Sequence, residues 1–185
     1  MENTLFRNRY RIPSARLSGW GYDTAGWYFI TIKTRNNYPF FGRIENGTMK
    51  LSEIGCAAKD CWECIPGHFP DVQLDSFIIM PDHIHGIIII HPVETQNLAS
   101  LPFLTPACRV ARTGNKFGPQ SRNVPSIVRG FKIGVSKWAH KHGCMDFSWQ
   151  SRFHDRIIRD NDELDGVREY ICNNAVKHWI EFGND

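Results

Sequence analysis

Apolar and polar positions along the chain alternate at two periods, which divide it into short strands and longer helices. Trp27 to Lys33 (WYFITIK) is aromatic and β-branched and predicts a strand. Asn46-Gly47, set between two half-apolar runs in FGRIENGTMKL, predicts a two-residue hairpin turn. Ser52 then caps a helix whose apolar positions Ile54, Cys56, Ala57, Ala58, Cys61, Trp62 and Ile65 recur at helical spacing, with Pro66-Gly67 as its stop. Leu74 to Met80 and His83 to His91 predict two further strands, antiparallel across a tight turn at Pro81-Asp82.

Residues 92–125 carry Pro92, Pro102, Pro106, Pro119 and Pro125 without lasting periodicity, which predicts a long loop insertion. Its charged residues after Glu94 are Arg109, Arg112, Lys116 and Arg122, all basic. Ser126 opens a helix to about His142 that buries Val128, Phe131, Val135 and Trp138 and stops at Gly143. A strand follows from Trp149 (WQSRFHDRIIR), and Asp160 to Asp162 open a last helix with an apolar stripe of Leu164, Val167, Ile171, Ala175, Trp179 and Phe182. The order of strands, helix, strands, helix, strand and helix predicts an α+β fold, an antiparallel sheet covered by helices.

Composition narrows the class. A chain of 185 residues, 42% hydrophobic and 22% charged, suits one globular domain. No apolar stretch approaches the roughly 20 residues of a membrane span, and the first residues lack a signal-peptide core, so a cytoplasmic protein is expected. The net charge of +3 is unevenly placed, because Arg7, Arg9, Arg11 and Arg16 crowd a basic arm over residues 1–26, ahead of the domain at 27–185. Such an arm suits phosphate. Cys61-x-x-Cys64 has no second pair at zinc-ribbon spacing, which favours reduced thiols over structural zinc.

The chemistry begins at MPDHIHGIIII, Met80 to Ile90. Residues i and i+2 of a strand share a face, so His83 and His85 project side by side and Ile84 points the other way. On the last helix Tyr170, Asn174 and Lys177 follow at i, i+4 and i+7 along the edge of the apolar stripe. Two imidazoles and a carboxamide oxygen form a donor set able to hold a divalent cation with positions open for substrate oxygens. A tyrosine one turn from that carboxamide would lie beside the cation. Lys177 would add phosphate neutralisation or depress the phenol pKa; a solvated helix lysine is the plainer reading.

These segments, MPDHIHGIIII and VREYICNNAVKHW with WQSRFHDRIIRD between them, resemble the signatures of single-tyrosine HUH transposases, and among them the REP-associated tyrosine transposases of bacteria (IS200-like). The resemblance covers about Tyr28 to Trp179. It implies a ferredoxin-like domain that cuts and rejoins single-stranded DNA beside hairpins. His83, His85 and Asn174 would then be metal ligands for Mg²⁺ or Mn²⁺, and Tyr170 the nucleophile that forms a 5′-phosphotyrosine. Asn174 is followed by Ala175 where relatives commonly have proline, a change that spares the ligand itself. Arg7, Arg9, Arg11, Arg16, Lys132, Lys137, Lys141 and Lys177 become candidate contacts to a structured single strand, with Trp20 and Tyr22 as stacking platforms. The state expected is a monomer or a homodimer.

Three other readings compete. A histidine-triad hydrolase needs a histidine at the next same-face position, where Ile87 stands. A rolling-circle replication initiator uses the same metal and tyrosine logic but usually has additional domains. A DNA-hairpin-binding protein or a transposase relic would keep the histidines for structure and never cut.

Overall fold

The computed structural model describes residues 25–92 and 123–182. The basic arm, with Arg7, Arg9, Arg11, Arg16, Trp20 and Tyr22, and most of the proline-rich insertion lie outside the described residues. Six strands and four helices run in the order β1 (Gly26–Lys33), β2 (Gly42–Glu45), β3 (Thr48–Leu51), α1 (Glu53–Glu63), α2 (Ile65–His68), β4 (Val72–Ile79), β5 (His83–Ile90), α3 (Val124–Lys141), β6 (His154–Ile158) and α4 (Asn161–Phe182). The main sheet has the order β4-β5-β1-β6, every neighbour antiparallel, and β2-β3 is a separate hairpin. Without that hairpin the connectivity is a split βαβ repeated, the ferredoxin-like arrangement the resemblance implies.

The sheet is covered on both faces, which explains why β5 reads as an almost unbroken apolar run. On one face Tyr28, Ile30, Ile32, Ile84, Ile88 and Ile90 pack with Trp62 of α1 and with Val128, Phe131 and Val135 of α3. Gly86 lies on that face because Trp62 fills its place: a Cβ there would come within 2.3 Å of the indole ring. On the other face Trp27, Phe29, Ile87 and Ile89 pack with Ile158 and with Leu164, Val167 and Ile171 of α4. Each buried isoleucine contributes roughly 1.5–3 kcal/mol through water released from its surface.

Local chemistry sets the boundaries. Asn46 and Gly47 both have positive φ, at 50° and 72°, as the predicted tight turn requires. Ser52 caps α1, its Oγ accepting from Gly55 N at 3.1 Å. Pro66-Gly67 lies inside a second short helix, α2, because proline suits a first helical turn as well as a stop. Cys56 is exposed, outside the buried stripe of α1. Asn123, rather than Ser126, caps α3: its Oδ1 accepts from Ser126 N at 3.0 Å, and Pro125 occupies the first turn. The strand expected from Trp149 begins only at His154, since Trp149 donates from its indole to Lys132 O and bridges to Thr34 instead. The apolar stripe of α4 is buried from Leu164 to Ala175, whereas Phe182 is 69% exposed because the 22-residue helix outruns the sheet. Among the described residues no helix is long and apolar enough to cross a membrane.

Candidate active site

The face of the sheet beneath α4 carries the chemistry. Alternation along β5 directs His83, His85, Ile87 and Ile89 to that face, and the register of β1 sets Thr31 opposite His85 and Lys33 opposite His83. The rings of His83 and His85 lie edge to face with centroids 4.6 Å apart. α4 starts over Ile87 and Ile158 and runs on past His85, where Tyr170 descends. Its Oη comes within 3.2 Å of His85 Nε2. Phe29 closes the space from below, stacked on His85 at 5.3 Å and edge-on to Tyr170 at 6.0 Å.

Each imidazole is held by its other nitrogen. Thr31 Oγ1 lies 2.9 Å from His85 Nδ1, and Asp82 Oδ1 lies 2.6 Å from His83 Nδ1. The Asp82 carboxylate accepts, so the proton of His83 is on Nδ1; a His85 Nδ1–H donating to the Thr31 hydroxyl would likewise leave both Nε2 lone pairs as acceptors. His85 is 6% exposed, and burial, then the charges of His83 and Lys33, push it down to about 3, so its ring is neutral at physiological pH. Burial raises the Asp82 carboxyl, but the hydrogen bond from His83 and the charges of His83 and Lys33 outweigh that and hold it below 3.8.

The turn that launches His83 is tied down separately. Buried Thr34 donates its N–H to Asp82 O at 2.8 Å, and its hydroxyl lies 2.9 Å from the same carbonyl and 2.7 Å from Tyr38 O. Phe41 N donates to Pro81 O at 2.9 Å. These bonds satisfy a loop that would otherwise fray and fix the strand end from which both histidines project.

α4 is pinned by charge close to the tyrosine. β4 inserts one extra residue between Leu74 and Phe77, and the bulge re-aims Asp75 toward the helix. Arg168 forks Asp75, Nε to Oδ1 at 3.0 Å and Nη2 to Oδ2 at 2.6 Å, and its Nη1 reaches Asp165 at 2.9 Å. The Arg168 hydrogen bond depresses Asp75 to about 2. At the helix start Asp160 Oδ1 accepts from Glu163 N at 2.8 Å, which orders the first turn.

Tyr170 is 40% exposed, so its phenol is open to an incoming group. Asn174 is half-buried one turn further on. A turn of helix rises about 5.4 Å and two strand residues about 6.6 Å, so the step from Tyr170 to Asn174 matches that from His85 to His83. Lys177 is exposed. Of the remaining predicted contacts, Lys137 and Lys141 are exposed on α3, on the far side of the sheet, and Lys132 is turned inward. Its Nζ donates to Gln150 O and Arg152 O, each at 2.8 Å, above the ring of Trp149, and burial lowers it to about 8.

The donor set suits a cation only in part from classical ligands. Among the described residues no group of three or more His, Cys, Asp or Glu side chains is placed to hold a metal. Two Nε2 atoms fixed by Thr31 and Asp82 do fit a divalent ion, with the remaining positions left to a carboxamide, water or phosphate oxygen. Sequence reasoning missed Thr31, Lys33, Thr34 and Asp82. Asp82 adjoins His83 in the sequence, but the β1 residues become visible only once strand pairing is known.

Comparison with known proteins follows the same lines. The chain is 41% identical over 164 residues to an uncharacterized protein of Haemophilus influenzae (strain ATCC 51907 / DSM 11121 / KW20 / Rd), covering 88% of this chain and 87% of that one. It is 27% identical over 165 residues to a second protein of that strain, named "Putative REP-associated tyrosine transposase", covering 89% of this chain and 78% of that one. Among solved structures, a REP-associated tyrosine transposase bound to a REP hairpin shares the fold with a TM-score of 0.55 at 18% identity, over 83% of this chain and 68% of that one. No protein-family model matches the chain.

Proposed function

We propose that the chain is a REP-associated tyrosine transposase, a reading supported by its likeness to a protein so named and to the hairpin-bound structure, and that it cleaves and rejoins single-stranded DNA beside hairpins by transesterification at Tyr170. The observation that carries this reading is the approach of an exposed phenol to a pair of oriented, neutral-capable imidazoles on the same face of the sheet. Tyr170 Oη attacks the scissile phosphorus, an O–P bond forms to the 5′ side, and the 3′ oxygen leaves as a hydroxyl. The proton lost by the phenol balances the proton gained by that hydroxyl. Attack by another 3′-hydroxyl on the phosphotyrosine reverses the exchange, so no nucleotide cofactor is consumed.

His83 Nε2, His85 Nε2 and the Asn174 carboxamide oxygen would hold Mg²⁺ or Mn²⁺, which supplies neutralisation of charge on the phosphate oxygens in the transition state. Thr31 and Asp82, held against the two Nδ1 atoms, would keep the rings in the tautomer this needs. Phe29 and Ile87 give the phenol and rings a dry floor. The hairpin in the related structure supports a hairpin-bearing strand as substrate, and exposed Lys177, on the helix that carries Tyr170, would contact its backbone, whereas Lys137 and Lys141 on the far side of the sheet would meet only a strand that wraps around the domain. The setting we infer is cytoplasmic, where the exposed thiols of Cys56 and Cys172 would stay reduced.

The test is strand cleavage. An end-labelled oligonucleotide with a hairpin and single-stranded flanks, incubated with the full chain and Mn²⁺, should give one labelled product and a protein-bound partner fragment. Binding without either product, across varied flanking sequences, would favour a DNA-hairpin-binding protein that no longer cuts.

A further inference from the structure

Lys33 ends β1 directly opposite His83, so its side chain rises on the face that carries His83, His85 and Tyr170. The face is not in doubt, because its neighbour two residues back, Thr31, touches His85 Nδ1 from the same side of the strand. Lys33 is half-buried. Among the described residues no carboxylate lies within ion-pair distance of it, and the nearest acidic group in the turn, Asp82, is already bound to His83 Nδ1 at 2.6 Å. Of the other cations near this face, Arg168 is held by Asp75 and Asp165 and Arg156 by Glu163, while Lys177 is exposed seven residues beyond Tyr170 on α4. Lys33 feels the Asp82 carboxylate but has no ion pair of its own, and an anion placed over the site would supply one to a partly desolvated ammonium.

We propose that Lys33 is the phosphate-binding cation of this site, its Nζ contacting a non-bridging oxygen of the DNA phosphate that lies over His83, His85 and Tyr170. The assignment rests on the transesterification reading and names the group that seats its substrate. The position of Lys33 opposite His83, two residues beyond the Thr31 contact to His85 on the same face, brings its charge to the reacting region. Strand pairing brings it there, 50 residues from the histidines in sequence.

The experiment uses the full chain carrying Tyr170→Phe, which cannot form an adduct, and a fluorescent hairpin oligonucleotide with single-stranded flanks, read by anisotropy across a salt series. Lys33→Met, which keeps the aliphatic stem, should weaken binding about tenfold at low salt and flatten the log–log salt slope by about 0.7–1. Lys33→Arg should retain the slope. Lys59→Met, on α1 behind the sheet, should leave both unchanged. An unaltered slope or an unaltered affinity in Lys33→Met overturns the proposal. Because the readout needs no cleavage, it stands apart from the adduct test: absence of any adduct in the parent chain sinks the transesterification alone.

Discussion

Tyr170 Oη stands 3.2 Å from His85 Nε2 within a single chain. The last helix therefore brings its phenol to the histidine pair of its own sheet. Removing the phenol oxygen should separate chemistry from folding. Tyr170→Phe is expected to abolish cleavage while changing stability by less than about 0.5 kcal/mol, since the side chain is 40% exposed and, among the described residues, its hydroxyl bonds to His85 alone. Denaturant unfolding alongside the cleavage assay checks both.

Thr31 orients His85 without touching substrate. Thr31→Val keeps the shape and deletes the hydroxyl that holds Nδ1, so Mn²⁺ affinity and cleavage rate should each fall about 10–100-fold. Thr31→Ser should restore most of both. Calorimetric titration of Mn²⁺ into the two variants provides a readout independent of DNA.

Acid should destabilise the fold through the same residue. His85 is held down to about 3 in the folded chain but titrates near 6.5 when unfolded, so between those values the unfolded state binds the extra proton. Stability is then full above about pH 6.5 and declines as pH falls toward 3, by at most about 1.4 kcal/mol per pH unit for one proton. Asp75, depressed to about 2 by Arg168, adds a further loss below its ordinary 3.8. A His85→Asn chain should lose most of the slope between pH 6.5 and 4 in urea unfolding series.

The Arg168 fork on Asp75 docks α4 against the edge of the sheet. Asp75→Asn should raise hydrogen exchange across residues 161–182 ahead of global unfolding, and lower the cleavage rate by loosening Tyr170. β5 amides, buried in the sheet centre, should keep their protection.

On the opposite face, Gly86→Ala drives a methyl group into Trp62, with its Cβ 2.3 Å from the indole Cζ2. Overpacking of this kind costs typically 1–3 kcal/mol, and thermal unfolding should register it.

How far these relationships could be read from residues alone follows from their range. The His83 and His85 pair, the Asn46-Gly47 turn and the i, i+4 placement of Tyr170 and Asn174 are local periodicities, and the structure keeps all three. Helix ends were harder. Pro66 and Ser126 each occur where proline or serine suits either a start or a stop, and only packing decides. Thr31 and Lys33 lie on a strand whose partners are 50 or more residues away, and the bulge that aims Asp75 at Arg168 is one extra residue that alternation cannot reveal. Phe182 matched the stripe of α4 but lies beyond the end of the sheet, a limit set by tertiary geometry.

The central claim is a covalent bond at one named oxygen. The full chain should be incubated with hairpin-flanked single-stranded DNA and Mn²⁺, digested, and its peptides mapped by mass spectrometry for a nucleotide remnant. The account expects the remnant on the peptide bearing Tyr170, joined through a 5′ phosphate, and its disappearance in Tyr170→Phe. A remnant on any other side chain, or cleavage that persists in Tyr170→Phe, would contradict it.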